Sequence, residues 1–280
     1  MTLPGDSRKG EIVVGRDGTE LIDLRDAEVV RARRPLLIAH RGGAVGLDAP
    51  ENSLAAIRRA AEHGYDMVEL DVVCPKDGEP VLFHDRTGNL LTNCGIDASV
   101  ADLTAPELCT IRYRASDQHV PTLAQALALC RRLELGVMLD IKAEDEWPRI
   151  RPFADRIGVL LDRHALTRAT LSLSHLPLVQ EALDGRALFP IREDDLRRVG
   201  RDQAMRLHGR FWFGIPEALP YALVPKLQIN GALVIPAINT SRYPPHAHAA
   251  LAREDIGRLL AIGVDGLQID SVYRDFLSGG

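Results

Sequence analysis

The sequence predicts an α/β fold, and within that class a (β/α)8 barrel, on three observations. After a polar first 34 residues, short apolar runs alternate with helix-length segments as far as the C-terminus of the 280-residue chain. Eight such runs occur in about 245 residues, which are the strand number and typical length of this barrel. Charged residues stand where several runs end, as they do at a barrel mouth. A doubly wound open sheet is the alternative.

The expected strands are short runs rich in apolar and β-branched residues. The first begins at Leu37 in LLIAH, and the others cover residues 67–73, 136–142, 170–174, 186–191, 210–215, 232–238 and 266–270. Between them, apolar side chains recur three or four residues apart, as at Leu54, Ile57 and Ala61, which is the spacing of one helix face. We therefore expect amphipathic helices around the outside of the barrel.

One interval interrupts the alternation after the second strand. The run PVLFHD, which starts at Pro80, is followed by 35 residues rich in Asn, Asp, Gly and Thr. We expect a small insertion at about residues 86–120, above the barrel and within a single domain of residues 35–280. Residues 1–34 are expected to be an N-terminal extension, in which EIVVGRDGTELI forms a hairpin around residues 16–18 below the barrel.

Composition excludes several classes of protein. The formal net charge of −5 offers no basic surface, so nucleic acid is not an expected partner. The N-terminal residues are charged throughout, and no run approaches the ~18 apolar residues of a membrane span, which predicts a cytoplasmic protein without stable membrane insertion. The four cysteines, Cys74, Cys94, Cys109 and Cys130, form no CxxC pair, and we expect free thiols.

Two of the expected strands carry carboxylates near their C-terminal ends. Glu69 and Asp71 are two residues apart, so on a strand they share a face, and the same holds for Asp140 and Lys142. Three converging carboxylates repel one another unless they are neutralised, and a hard cation such as Mg²⁺ or Ca²⁺ is the common neutraliser. The alternative is a buried salt-bridge network in which the acids pair with Arg41 and Lys142.

Two histidines stand at the ends of apolar runs, each directly before another charged residue. A lone histidine at such a position is usually a hydrogen-bonded core residue. A pair beside a metal suits displacement at phosphorus, because one ring accepts the proton of the nucleophile and the other protonates the leaving alkoxide. His40 and His84 are the predicted pair, and Arg41 and Lys142 are the predicted phosphate-binding cations.

An ordered set of motifs connects these residues. HRGG, PENS, GYDMVELDVVCPKDGEPVLFHD, VPTL, LDIK, and GVDG before a terminal aspartate follow one another along the chain. Together they resemble the glycerophosphodiester phosphodiesterase family, densely over residues 36–142 and again over 263–270. The resemblance implies a TIM barrel with a small insertion after the second strand. It also implies hydrolysis of a glycerophosphodiester to glycerol 3-phosphate and an alcohol, by water or through a cyclic phosphate.

The resemblance also implies roles for individual positions. His40 and His84 match the acid/base pair of the family, and Glu69 and Asp71 match two of its metal ligands. Asp140 stands where the family usually has a glutamate as the third ligand. The shorter carboxylate leaves the metal preference open among Mg²⁺, Ca²⁺ and Mn²⁺.

Three further residues match positions that contact substrate. Arg41 and Lys142 match the phosphate-contacting bases of the family. Glu51, in PEN, matches a residue near the metal and substrate. Its alternative role is that of an acid in the first turn of a helix, where the helix dipole favours it.

Departures from the family pattern concentrate in the second half of the chain. Where the family commonly has Trp-Thr-Val-Asn, residues 236–239 read PAIN, so Asn239 is kept as a substrate-binding residue and the tryptophan is lost. Arg192, after the fifth run, is either a second anion contact or a surface base. In the long loop after Asn239, Arg242, Tyr243 and His246 either contact the substrate or belong to a solvated loop tip.

The sequence thus predicts a metal-dependent phosphodiester hydrolase that acts on a small-molecule glycerophosphodiester. The first alternative is the same chemistry on a sugar, inositol, specialised-metabolite or lysophospholipid phosphodiester, because the tryptophan is lost. A barrel that binds phosphate esters without turnover is the second. The intact His40, His84, Glu69 and Asp71 argue against it.

Overall fold

The computed structural model describes residues 20–43, 46–85, 89–114, 116–143 and 148–277, and this part of the chain contains nine strands. In chain order they are β1 (Leu36–Ala39), β2 (Met67–Val73), β3 (Val81–Leu82), β4 (Gly136–Ile141), β5 (Thr170–Ser172), β6 (Phe189–Pro190), β7 (Arg210–Gly214), β8 (Leu233–Ile238) and β9 (Gly266–Ile269). Each of the eight expected runs contains one strand. The additional strand is β3, which pairs antiparallel with β2.

The other eight strands are parallel and form a barrel. Neighbours in the order β5-β4-β2-β1-β9-β8-β7-β6 are hydrogen-bonded to each other. Leu188, just before β6, closes the ring: its N–H donates to the carbonyl of Thr170, and its carbonyl accepts from the N–H of Ser172. The predicted (β/α)8 barrel is confirmed. The open-sheet alternative is wrong, because β5 and β6, which would be the edges of an open sheet, are hydrogen-bonded to each other through Leu188.

Helices lie around the barrel and in the insertion that follows β2. They are α1 (Ala27–Ala32), α2 (Leu54–Glu62), α3 (Asn89–Cys94), α4 (Ala105–Thr110), α5 (Leu123–Arg132), α6 (Ile150–Arg163), α7 (Pro177–Ala182), α8 (Glu193–Gly200), α9 (Val224–Ile229) and α10 (His248–Ile262). Ser53 caps α2 through the N–H of Ala56, and Thr122 forms a capping box with Gln125 at α5. Within the described residues, no helix is both long and apolar enough to cross a bilayer.

The expected insertion follows β2 and carries an apolar cluster of its own. Its members include Val73, Phe83, Leu90, Leu108 and Tyr113, separate from the main core. The N–H of Phe83 donates to the carbonyl of Asp71, which holds the start of the insertion against β2. The insertion therefore lies beside the C-terminal end of the barrel, where functional residues of such folds occur.

The described part of the predicted N-terminal extension packs against the barrel. Ile22 and Leu24 are buried in the same core as the strands. A Cβ on Gly136 would lie only 2.9 Å from Met67 and 3.0 Å from Ile22, so the missing side chain makes room for both. The hairpin expected around residues 16–18 lies outside the described residues.

Candidate active site

The turn that follows β1 has an unusual backbone. Arg41, Gly42 and Gly43 all have positive φ angles, of 50°, 77° and 83°. Glycine adopts this region freely, whereas an arginine there costs on the order of 1–3 kcal/mol and persists only where its surroundings hold it. The turn lies at the mouth of the barrel and directs His40 and Arg41 toward neighbouring strand ends.

Three carboxylates meet at the ends of β2 and β4. Asp71 and Asp140 are register partners on these neighbouring parallel strands, and Glu69 lies two residues before Asp71 on the same face. One oxygen from each of the three lies within 4.8 Å of the others. The structure thus brings together all three predicted metal ligands, which we call the acidic cluster.

The acidic cluster fits a hard divalent cation. Burial of Glu69, and next the charge of Asp71, raise the pKa of Glu69 to about 8. A cation stabilises such a set of ionised carboxylates, and a donor set made only of oxygen is the one that Mg²⁺, Ca²⁺ and Mn²⁺ prefer. Asp140, one methylene shorter than the residue usual in the family, still reaches the cluster.

Both predicted cations lie against the acidic cluster. Lys142 Nζ is 3.0 Å from Asp71 Oδ1 and also contacts Asp140. Arg41 donates from Nη1 to Glu51 Oε2 at 2.7 Å, and its Nε is 3.8 Å from Asp71 Oδ2. The salt bridges of the alternative interpretation are therefore present. Even beside these cations, burial and the charge of Asp71 keep the pKa of Glu69 raised.

His40 is held by a carboxylate from the opposite end of the chain. Its Nδ1 lies 2.5 Å from Asp270 Oδ1, and its Nε2 is 3.9 Å from Glu69 Oε2. Burial alone lowers the pKa of His40, but the hydrogen bond to Asp270 and the charges of Glu69 and Asp270 together raise it. The other oxygen of Asp270 accepts from the N–H of Thr240 at 2.6 Å and from its hydroxyl at 2.8 Å.

His84 has the opposite electrostatic environment. Arg41 Nη2 lies 3.0 Å from His84 Nε2, and Asn89 donates to the carbonyl of His84 at 2.5 Å. Burial lowers the pKa of His84 and the charge of Arg41 adds to the effect, against the opposing charge of Asp71. Opposite shifts of the two histidine pKa values agree with one ring acting as an acid and the other as a base.

Two predicted substrate-binding residues lie apart from these contacts. Arg192 is exposed at the N-terminus of α8 and lines a groove with Gln180, Asp184 and Arg210. No contact of the described residues joins it to the acidic cluster. Asn239 follows β8 directly, and its Oδ1 is buried without a hydrogen-bond partner.

The structure places three further residues in the site, and one of them, Asn52, was expected from the sequence only as a helix cap, a role that Ser53 takes instead. Asp270 and Thr240 hold His40, and Asn52 is completely buried against Asp71. Asp270 was visible as a polar residue at the end of the last strand. For Asn52, the only signal was its place after Glu51 in PEN.

A cavity at the other end of the barrel is distinct from this site. It has a volume of about 420 Å³, and its lining includes Leu24, Arg34, His208 and Asp265. Its carboxylate, Asp265, is paired with Arg34. None of the members of the acidic cluster lines it, so it is not where the predicted chemistry would occur.

Comparison with known proteins agrees with this geometry. The sequence model of the glycerophosphoryl diester phosphodiesterase family matches residues 40–175, which contain the acidic cluster and both histidines. The Bacillus subtilis protein YhdW is 28% identical over 254 residues, which are 86% of this chain and 96% of that protein. Glycerophosphodiester phosphodiesterase 1 of Mus musculus is 39% identical over 127 residues. These matches all indicate the glycerophosphoryl diester phosphodiesterase family.

The similarity to the mouse family member is partial. It covers 42% of this chain and 37% of the mouse protein. Solved structures extend the shared fold over most of the barrel. An Oleispira antarctica phosphodiesterase in complex with sn-glycerol-3-phosphate has a TM-score of 0.66 at 21% identity, covering 87% of this chain and 96% of that one. A glycerophosphoryl diester phosphodiesterase of Parabacteroides distasonis has a TM-score of 0.69 at 18% identity, covering 93% of each chain.

We expect Asp270→Asn to lower kcat while leaving cation binding unchanged. The amide keeps the volume of Asp270 but removes the charge that orients and stabilises the His40 ring. Removing a carboxylate that hydrogen-bonds to a histidine of a metal site typically lowers activity by about 10- to 100-fold. Steady-state kinetics on the variant measures the effect, and Ser271→Ala, at the next residue, is the control. Wild-type kcat in Asp270→Asn would show that the 2.5 Å contact has no catalytic role.

Cation affinity is expected to fall as the pH is lowered from about 8 to about 6. Because the pKa of Glu69 is raised to about 8, its carboxylate must lose a proton before it can bind. Displacement of one proton predicts about ten-fold weaker apparent binding per pH unit below that pKa. Calorimetric titration with Mg²⁺ at several pH values measures it. A dissociation constant independent of pH would contradict the assignment of Glu69 as a ligand.

Proposed function

We propose that this protein hydrolyses glycerophosphodiesters to glycerol 3-phosphate and an alcohol, with a divalent cation held by the acidic cluster. The observation that carries the proposal is the convergence of three oxygen ligands, two histidines with opposite pKa shifts and two cations at one end of the barrel. The match to the family model and the similarity to YhdW support the reaction class. The Oleispira antarctica structure, with its bound sn-glycerol-3-phosphate, supports the identity of the product.

The side chains divide the work of displacement at phosphorus. A bound divalent cation would neutralise the acidic cluster and polarise the phosphoryl group. Arg41 and Lys142 donate to the non-bridging oxygens and stabilise the charge that develops there. Of the two histidines, one accepts the proton of the attacking hydroxyl and the other donates a proton to the leaving alkoxide. The attacking hydroxyl belongs either to water or to the glycerol, and in the second case a cyclic phosphate forms first.

The loop after β8 favours a second candidate function, the same hydrolysis of a diester whose alcohol is strongly polar. Tyr243, which the sequence suggested as a substrate-binding residue, is instead buried, and its hydroxyl donates to Asp255 at 2.7 Å. Arg242 donates to Glu217 at 2.7 Å, but its Nε and Nη1 are buried without a hydrogen-bond partner. These N–H groups are donors that a sugar, inositol or anionic head group would satisfy.

A substrate panel separates these functions. The purified protein is incubated with Mg²⁺, Ca²⁺ or Mn²⁺ and with glycerophosphocholine, glycerophosphoethanolamine, glycerophosphoinositol, a lysophospholipid and a sugar phosphodiester, and the products are identified by phosphorus NMR. Release of glycerol 3-phosphate from glycerophosphocholine or glycerophosphoethanolamine supports the first candidate. Turnover restricted to glycerophosphoinositol or the sugar phosphodiester would replace it with the second. Binding without turnover of any diester would leave only the non-catalytic alternative. The cytoplasmic location stays a prediction.

A further inference from the structure

Asn52 is completely buried and bridges the main chain and the side chain of Asp71. Its Nδ2 donates to Asp71 Oδ2 at 2.9 Å, and its Oδ1 accepts from the N–H of Asp71 at 3.0 Å. The same carboxylate meets Lys142 through Oδ1. Each oxygen of Asp71 therefore has its own partner, and rotation of this carboxylate would break the contact with Asn52.

The main chain of Asn52 reaches the turn after β1. Its N–H donates to the carbonyl of Arg41 at 2.8 Å, and the N–H of Arg41 donates to Glu69 Oε2 at 2.8 Å. A continuous path thus runs from Glu69 through Arg41 and Asn52 to Asp71. It joins two members of the acidic cluster through the residue whose φ is 50°.

The backbone of Asn52 explains why this residue type suits the position. Its φ is 59°, in the left-handed region that asparagine adopts more readily than other residues with a side chain. Glycine adopts the same region but has no amide. Asparagine combines the required backbone with one donor and one acceptor on a short side chain.

We propose that Asn52 is a positioning residue, which sets the carboxylate of Asp71 for the cation and holds Arg41 in its left-handed conformation. The inference rests on the proposed function, because Asn52 would position a carboxylate of the cation site on which that function depends. Hydrogen-bond partners of ligating carboxylates typically change metal affinity by about 10- to 100-fold when they are removed.

Two substitutions separate the amide from the backbone. Asn52→Gly keeps the left-handed conformation and removes only the side chain, whereas Asn52→Ala removes the side chain and also strains the turn. If the side chain is what matters, both variants bind the cation weakly. If only the backbone matters, Asn52→Gly behaves like the wild type. Asn52→Ser, with a hydroxyl too short for both contacts, serves in its place if Asn52→Gly does not fold.

The test is Mn²⁺ binding by the full chain, measured without substrate from the signal of free Mn²⁺ in electron paramagnetic resonance. We expect Asn52→Gly to weaken binding by about 10- to 100-fold. The control is Asn230→Gly, which also removes two side-chain hydrogen bonds, to Met205 and Lys226, but at the other end of the barrel. It should keep the wild-type affinity. Circular dichroism and thermal unfolding verify that each variant is folded.

A double mutant tests whether Asn52 acts through Asp71. In an Asp71→Asn background, Asn52→Gly should change Mn²⁺ affinity little further, since the carboxylate that it positions is gone. Wild-type affinity in Asn52→Gly, or fully additive losses in the double mutant, would overturn the proposal. So would a wild-type chain that binds no Mn²⁺. If the wild type binds Mn²⁺ but hydrolyses no diester, the proposed function fails while the binding data still decide the role of Asn52.

Discussion

Alanine in place of His84 or of His40 is expected to lower kcat/KM by about two to four orders of magnitude, because each variant lacks one proton-transfer group. Neither ring belongs to the acidic cluster, so cation affinity should change far less than turnover. The measurement is steady-state hydrolysis of the best diester of the panel, with cation binding determined in parallel by calorimetry.

The matched control is His208→Ala. His208 is exposed and lines the cavity at the opposite end of the barrel. This variant should keep wild-type kinetics. Near-normal rates in both His40→Ala and His84→Ala would show that the proton transfers are made by other groups. If only one of the two variants loses activity, the histidine replaced in it acts first as the base and then as the acid.

Glu69→Gln is expected to have opposite effects on catalysis and on the stability of the metal-free protein. The amide cannot supply an anionic ligand, so cation affinity and turnover should fall by about 100-fold or more. The folded-state pKa of Glu69 is raised above its usual value, to about 8. The folded state therefore binds more protons than the unfolded state between about pH 4.5 and 8, and the stability of the metal-free protein falls as the pH rises through that window.

The variant removes this source of instability. At about pH 8, metal-free Glu69→Gln should therefore unfold at a temperature equal to or above that of the metal-free wild type. A cation concentration just sufficient to saturate the wild type should stabilise the wild type but hardly the variant. Differential scanning calorimetry with and without cation measures both effects. A variant that is destabilised without metal and still stabilised by the cation would contradict the placement of Glu69 in the cation site.

The parts of the site that follow from strand geometry could be predicted from the sequence. Glu69 and Asp71 share a face because side chains on a strand alternate, and Asp140 joins them because parallel strands end at one rim. The same rule predicted that His40 and Lys142 would lie there. These inferences need only the strand positions, and each expected run contains a strand.

The parts that depend on turns and distant pairings could not be predicted. Closure of the predicted barrel brings Asp270 beside His40 across 230 positions of sequence, but their hydrogen bond and the part of Thr240 in it depend on local turns. The role of Asn52 depends on the path of the chain between β1 and α2. Arg192 follows a strand of only two residues and begins α8 directly, so its exposed side chain lies along the groove beside α7 and not with the acidic cluster.

The central claim is that cleavage of a glycerophosphodiester depends on a divalent cation at the acidic cluster. Its most direct test is a phosphorus NMR time course on glycerophosphoethanolamine with protein stripped by a chelator, before and after Mg²⁺, Ca²⁺ or Mn²⁺ is restored. We expect the diester resonance to convert to that of glycerol 3-phosphate only after restoration, and not with Asp71→Asn. Equal conversion by the stripped protein or by Asp71→Asn, or no conversion with any of the three cations, would contradict the account.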